Sequence, residues 1–124
     1  MIIRNINGIS PINWGNGLSY RFLTEADGMG FTLAHTVVRA GTQSRMKYGR
    51  HLEACYCIKG KGEIVGEHGT SHIIEANTLY ALDRHDAHTL IAAPADDLHL
   101  ISIFNPPLTG AEKHNLTEGG FSGY

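Results

Sequence analysis

The chain has 124 residues, which suffice for one domain with a buried core but not for two. Its formal net charge at pH 7 is −2, and its ten lysines and arginines are scattered along the sequence. Nucleic acids and anionic membranes are bound through clustered basic residues, so we expect neither as a partner. Residues 1–14 lack the apolar segment of a signal peptide, and we expect a cytoplasmic protein.

Short strands, with no long helix, are predicted along the chain. Eight segments are rich in β-branched and aromatic residues, alternate between apolar and polar positions, and end at Gly, Asn, Asp or Pro. They are residues 18–23, 30–41, 53–60, 62–66, 70–76, 78–83, 88–93 and 98–105. No window of helical length carries a 3.6-residue period. The pattern predicts a single all-β domain over residues 1–124, built as a small barrel or double-sheet sandwich.

Glycine and proline mark the turns and the end of the last strand. The sequence GEHGTS, residues 66–71, predicts the tip of a hairpin. Pro106 and Pro107 follow the last predicted strand, and proline cannot donate to a strand ladder. Residues 111–124 form a polar, glycine-rich tail, which is expected either to cover the mouth of the barrel or to fray.

Glu53 is a charged residue on the face of its strand that is predicted to be buried. Alternation places Glu53 on the same side as Cys55 and Cys57, the only two cysteines. Those two thiols are poorly placed to bridge each other and are expected to be free. A carboxylate on a buried face must be paired, hydrogen-bonded or bound to a cation.

Two further residues could complete a cation site with Glu53. Tyr80 and His88 lie on two later predicted strands, residues 78–83 and 88–93, and both would face the interior if these strands are neighbours of that of Glu53 in a small barrel. A carboxylate, a phenol and an imidazole would then form a site with three protein ligands, suited to iron or zinc. The ordinary alternative is that His88 and Tyr80 are core residues. His85 and Asp86 flank His88 and are expected to orient its ring.

The region around Glu53 resembles the cupin family. In HLEACYCIKGKGEI, Glu53 precedes Gly60 by the spacing of the first cupin motif, although the histidines that usually come before it are missing. The second motif is recognisable around Asn77, Asp83, His85 and His88, where only the final histidine keeps its type. Asn77 replaces a glycine, and asparagine is the next-best residue for a left-handed backbone.

A closer resemblance is to the ectoine synthase family of small cupins. DGMGF, AGT, HLEA-YCI-G-GEI, TLYALD-HD-H and FNPPLTG-E-H occur in that family's order and nearly its spacing. The resemblance implies a jelly-roll-like cupin barrel. It also implies a hydro-lyase that cyclises N-γ-acetyl-L-2,4-diaminobutyrate to ectoine with loss of water, in a homodimer.

The resemblance also implies roles for individual residues. The metal ligands fall on Glu53, Tyr80 and His88, with Fe(II) the preferred metal and zinc the alternative. Proton transfer is assigned to Tyr48, Glu112 and His114. The substrate-binding positions are Ser19, Arg21, Thr36, Ser102 and Phe104, and Arg21 would hold the substrate carboxylate.

Two positions depart from the family's pattern and keep other functions open. Gly17 stands where the family has a tryptophan, and Ser102 stands where it has a cysteine. We expect a wider and more polar cavity wall, because Trp14 could replace the missing indole only if its loop rearranges. A cupin dioxygenase or isomerase, or a non-catalytic cupin that binds a small molecule, therefore remains an alternative. Glu112 and His114, as an acid–base pair beside a Lewis acid, favour catalysis over simple binding.

Overall fold

The computed structural model describes residues 1–116 and 120–124, and nearly all of its regular structure is β-strand. Ten strands follow in chain order: β1 Ile12–Asn13, β2 Gly17–Leu23, β3 Thr32–Val38, β4 Gln43–Met46, β5 Leu52–Lys59, β6 Lys61–Gly66, β7 Ser71–Glu75, β8 Leu79–Leu82, β9 His88–Ala92 and β10 Leu98–Asn105. The helical elements among the described residues are two 3-10 turns, Ile6–Gly8 and Glu25–Asp27. The all-β prediction is confirmed. No described helix is long and apolar enough to cross a membrane.

The strands form two antiparallel sheets. The larger sheet has six strands in the order β1-β2-β3-β10-β5-β8, and the smaller has four in the order β4-β9-β6-β7. All eight predicted strands are present. β1 and β4 were not predicted, and both are edge strands. β4 is short and carries Gln43 and Arg45 on its exposed side, so its apolar alternation is weak.

Alternating side chains from both sheets fill one core. In β10, Leu98, Leu100, Ser102 and Phe104 point inward and are buried. Leu90 and Ile64 from the smaller sheet join the same buried cluster. Period-two alternation therefore gives each strand one face toward the core, as the sequence pattern predicted.

The predicted turns are also found. A hairpin joins β6 to β7, with the Gly66 amide donating to the carbonyl of Thr70. Asn77 has a φ of 74°, the left-handed conformation that its place in the second motif predicted. β10 ends at Asn105, directly before Pro106. Cys55 and Cys57 are buried, free thiols.

Candidate active site

Strand register brings the predicted site residues of the larger sheet into adjacent rows. One row crosses five strands from Tyr80 on β8 through Cys55, Ser102 and Ala34 to Arg21 on β2. On one side of this row Glu53 pairs with Phe104, and on the other Thr36 pairs with Ser19. The site is thus spread across the inner face of one sheet, where pairing fixes the spacing between neighbours.

A narrow cavity, with about 20 Å³ of free space, lies over these rows. Eight of the eleven predicted site residues line it: Ser19, Thr36, Tyr48, Glu53, Tyr80, Ser102, Phe104 and His114. Arg21 and Glu112 lie just beside it. Arg21 donates through Nε to the Ser19 hydroxyl, 3.2 Å away, and through Nη2 to the Glu112 carbonyl. His88 lines a neighbouring cavity, and Tyr80 is a wall of both. The structure therefore gathers the predicted set around two adjoining spaces.

Glu53 is a buried carboxyl group with little compensation. It is 7% exposed, and burial raises its pKa to about 8 against the opposing effect of a hydrogen bond with the Cys55 thiol. Burial likewise raises the pKa of the Tyr80 phenol well above its usual value. With no cation beside it, Glu53 would be mostly protonated at neutral pH.

His88 has one ring nitrogen without a partner. It is 1% exposed, and its Nδ1 lies 2.9 Å from the carbonyl oxygen of Asp86. A carbonyl only accepts, so Nδ1 carries the proton and Nε2 presents a free lone pair. Within the described residues, that Nε2 and Nη1 of Arg21 are the buried side-chain polar atoms lacking a hydrogen-bond partner. An orphaned imidazole nitrogen is suited to binding a metal.

The expected roles of His85 and Asp86 are partly wrong. Asp86 does orient His88, but through its backbone carbonyl. His85 turns away from His88, with its Nδ1 2.8 Å from the carbonyl oxygen of Tyr48 and 3.1 Å from that of His51. His85 has a φ of 55°, so the left-handed backbone at this position directs its side chain toward the loop before β5.

Tyr48 and His114 form the closest pair of proton-transfer candidates. Tyr48 Oη lies 2.7 Å from Nε2 of His114, and both residues are buried. Burial, together with the nearby His88, lowers the pKa of His114 to about 4. Burial raises the pKa of Tyr48 well above its usual value, with Glu53 adding to the effect. At neutral pH the pair is therefore a neutral imidazole hydrogen-bonded to a neutral phenol.

Glu112 is held beside Arg21. Its carboxylate accepts hydrogen bonds, each 2.9 Å, from the Thr109 amide, the Thr109 hydroxyl and the Gly110 amide. Burial raises its pKa, but these donors outweigh burial and lower the pKa to about 2. An oxygen of Glu112 lies 3.6 Å from Nη1 of Arg21, too far for a hydrogen bond. Arg21 thus keeps one N–H free for another acceptor.

The cavity wall near Gly17 is closed, which corrects the expectation of a wider cavity. Trp14 is 3% exposed, lines the cavity, and donates from Nε1 to the Val37 carbonyl 3.2 Å away. A Cβ at Gly17 would lie 1.8 Å from the same carbonyl oxygen and 3.1 Å from that Nε1. Glycine at this position therefore makes room for the displaced indole. Ser102 is buried and bonds Thr36 through hydroxyls 2.9 Å apart.

Cys55 and Tyr124 are among the cavity residues that sequence reasoning missed. Cys55 faces inward two residues after Glu53, so strand alternation was a sufficient signal. Tyr124 lines the cavity and packs its ring against Tyr48, His114 and Phe104. No periodicity in the glycine-rich tail points to this residue. Residues 117–119 of the predicted tail lie outside the described residues.

Comparisons with known proteins agree with this geometry. A family model described as ectoine synthase matches residues 1–122. L-ectoine synthase of Desulfatibacillum aliphaticivorans is 48% identical over 102 residues, which are 82% of this chain and 77% of the relative.

Solved structures show the same likeness. The ectoine synthase from P. lautus superposes with a TM-score of 0.84 at 39% identity, covering 89% of this chain and 81% of that one. A cupin 2 conserved barrel protein from Salinispora arenicola, at 17% identity and a TM-score of 0.67, shares the fold over 84% of this chain and 87% of its own. The predicted cupin fold and family resemblance are confirmed.

Proposed function

Because the chain belongs to the ectoine synthase family, we propose that it cyclises N-γ-acetyl-L-2,4-diaminobutyrate to ectoine with loss of water. The observation that carries this proposal is the single cavity lined by eight of the predicted site residues, with a proton-transfer pair on one wall and a buried carboxyl group on another. In this reaction the α-amine nitrogen bonds to the acetamide carbon, and the acetamide oxygen leaves as water. Both protons of that water come from the two nitrogens of the substrate.

The residues Arg21 and Ser19 would bind the substrate carboxylate. Arg21 is buried, and its Nη1 lacks a hydrogen-bond partner within the described residues. A carboxylate is the acceptor best matched to a guanidinium. Glu112 already holds the guanidinium through Nη2, which donates to the backbone carbonyl of Glu112. Anchoring one end of the substrate would let Phe104 and Thr36 hold the remainder in a curled conformation, which lowers the entropic barrier to ring closure.

We assign proton transfer to the pair Tyr48 and His114. With a pKa of about 4, His114 is unprotonated at neutral pH and can accept a proton from the attacking amine. The short contact with Tyr48 allows the proton to be passed on to the departing oxygen. Glu112 was also predicted for proton transfer. Its pKa of about 2 makes it a weak base and leaves no proton to donate, so positioning Arg21 is the role we propose for it.

A divalent metal would be held by Glu53, Tyr80 and His88, with Fe(II) preferred and zinc the alternative. The residues fit such an ion: the Nε2 of His88 is buried without a partner among the described residues, and Glu53 is a buried carboxyl group. Within the described part of the chain, no group of three or more His, Cys, Asp or Glu is placed to hold a metal ion, and the proposed set differs because one of its three ligands is a tyrosine. When bound, the metal would supply Lewis acidity at the acetamide oxygen.

No observation favours the alternative reaction classes. Dioxygenase, isomerase or simple binding functions were kept open by a wall widened at Gly17, and Trp14 fills that wall. The deciding experiment is anaerobic incubation of Fe(II)-loaded protein with N-γ-acetyl-L-2,4-diaminobutyrate, followed by chromatography for ectoine. Steady formation of ectoine is the expected result. A folded, metal-loaded protein that forms none would exclude the proposed reaction.

We further propose a homodimer that covers the outer face of the larger sheet. Ile58, Leu79 and Ile103 project from this face and are 44%, 60% and 41% exposed. Burying such a patch against a second copy removes apolar surface from water. Sedimentation velocity should show a dimer that Ile103→Glu dissociates. Ile73→Glu, at a 71% exposed isoleucine of the smaller sheet, should leave it intact.

A further inference from the structure

Residues 120–124, the C-terminal strap, lie against the chain segment that leads from β4 to Tyr48. The Ser122 amide donates to the Arg45 carbonyl and the Lys47 amide donates to the Ser122 carbonyl, each over 2.9 Å. A Cβ at Gly123 would lie 1.6 Å from the Lys47 carbonyl oxygen. Only glycine therefore allows the strap to approach so closely. Phe121 adds a contact under the Arg45 guanidinium, 4.5 Å from its ring centre.

The strap inserts Tyr124 among the residues that we assign to substrate. Its ring centre lies 4.7 Å from that of His114 and 5.1 Å from that of Tyr48. Its hydroxyl oxygen is 3.5 Å from Nη2 of Arg21. The phenol of Tyr124 thus lies between the proton-transfer pair and the guanidinium proposed to bind the substrate carboxylate.

Beside Tyr124, the cavity has room for little more than a water molecule. An N-acylated diamino acid is far larger, so it cannot occupy the site while Tyr124 remains there. Apart from the ring contacts of Tyr124 with Tyr48, His114 and Phe104, the strap is fastened by few interactions. They are two backbone hydrogen bonds, the Phe121 contact, and a Ser122 hydroxyl 3.1 Å from Nδ1 of His114 that also accepts from the Asn115 amide at 2.9 Å. Each such contact is individually weak.

We propose that Tyr124 is a gate that competes with the substrate. In the closed state its ring occupies the substrate's place, and the strap must leave before an N-acylated diamino acid can bind. The apparent affinity is then reduced by the fraction of molecules with an open strap. The identity of the ligand in this inference rests on the proposed function. The position of the strap does not depend on it.

Gly123→Ala tests the gate without altering a cavity residue. The new Cβ would clash with the Lys47 carbonyl oxygen and displace the strap. Gly8→Ala is the matched control, because a Cβ there meets no atom within 4 Å. Tyr124→Ala removes the ring itself. Trp14, the only tryptophan, lines the same cavity and reports on access to it through acrylamide quenching of its fluorescence.

We expect stronger Trp14 quenching in Gly123→Ala than in Gly8→Ala. We also expect the KM for N-γ-acetyl-L-2,4-diaminobutyrate to be about five- to tenfold lower in both Gly123→Ala and Tyr124→Ala. Both variants remove a closed state that is the main state of the free wild-type protein. An unchanged or higher KM in both variants would show that Tyr124 is a fixed wall and overturn the gate.

The two proposals can fail separately. If the wild type forms no ectoine, the proposed function is wrong, and quenching, which needs no substrate, decides whether the strap seals the cavity. Equal quenching in Gly123→Ala and Gly8→Ala would then overturn the gate. If the wild type forms ectoine and only the KM prediction fails, the gate alone is wrong.

Discussion

One half of the candidate active site is built on the larger sheet and the other is carried by the C-terminal tail. The two halves are held by different interactions. Glu53, Ser102 and Phe104 are fixed by pairing between β5 and β10 and by burial in the core. Glu112 and His114 lie outside the strands and depend on a few side-chain hydrogen bonds. The sheet half should therefore be rigid and costly to disturb, whereas the tail half can adjust during a reaction cycle.

The largest expected effect is on the sheet half. Glu53→Ala removes the carboxylate that we assign to the metal, so metal content and ectoine formation should both fall to background while the fold is retained. Metal content is measured by elemental analysis and the fold by circular dichroism. Glu75→Ala, at an exposed carboxylate of β7, is the control and should bind metal normally. Full metal occupancy in Glu53→Ala would contradict the ligand assignment.

A tail variant should separate catalysis from metal binding. His114→Asn removes the nitrogen that contacts Tyr48, and kcat should fall about 10²- to 10⁴-fold, the usual contribution of a proton-transfer group. Metal content should stay at the wild-type level, in contrast to Glu53→Ala. If His114→Asn also loses its metal, the two halves are not separable as described. Tyr48→Phe should lower kcat with the same unchanged metal content.

Stability should also differ between the halves. Phe104→Ala removes a ring that is 3% exposed and should lower the free energy of unfolding by about 3–5 kcal/mol. Phe121→Ala removes a tail ring that is 37% exposed and should cost less than about 1 kcal/mol. Urea unfolding of the two variants gives both values. Equal losses would mean that the tail is as firmly packed as the sheet.

The smallest effect concerns the dependence of stability on pH. His114 has a pKa of about 4 in the folded protein and about 6.5 when unfolded. Between these values the unfolded chain binds the extra proton, so stability falls as the pH is lowered from 6.5 to 4 and this contribution levels off below. Glu53, whose pKa is raised to about 8, acts in the opposite direction as the pH falls toward 4.5, so we expect a net decrease of only a few degrees in melting temperature across this window. His114→Gln should abolish this decrease, and an unchanged slope would contradict the assignment.

Several features followed from the sequence alone because they depend on local patterns. Alternation identified eight strands and the inward face of Glu53, and the glycine-rich and proline-rich segments gave the β6–β7 hairpin and the end of β10. Asn77 was placed in a left-handed conformation from its position in a motif. Motif spacing gave the family, and with it eight of the residues that line the cavity.

Other features depended on contacts between residues far apart in the chain. Whether Trp14 fills the wall at Gly17 is decided by the Val37 carbonyl on another strand. The turn of His85 away from His88 depends on two carbonyl groups in the loop before β5. Tyr124 reaches the cavity because Gly123 can lie against Lys47. Sequence patterns report which face a residue presents, whereas only the packed structure determines which atoms meet there, because close contacts depend on the positions of every neighbouring segment.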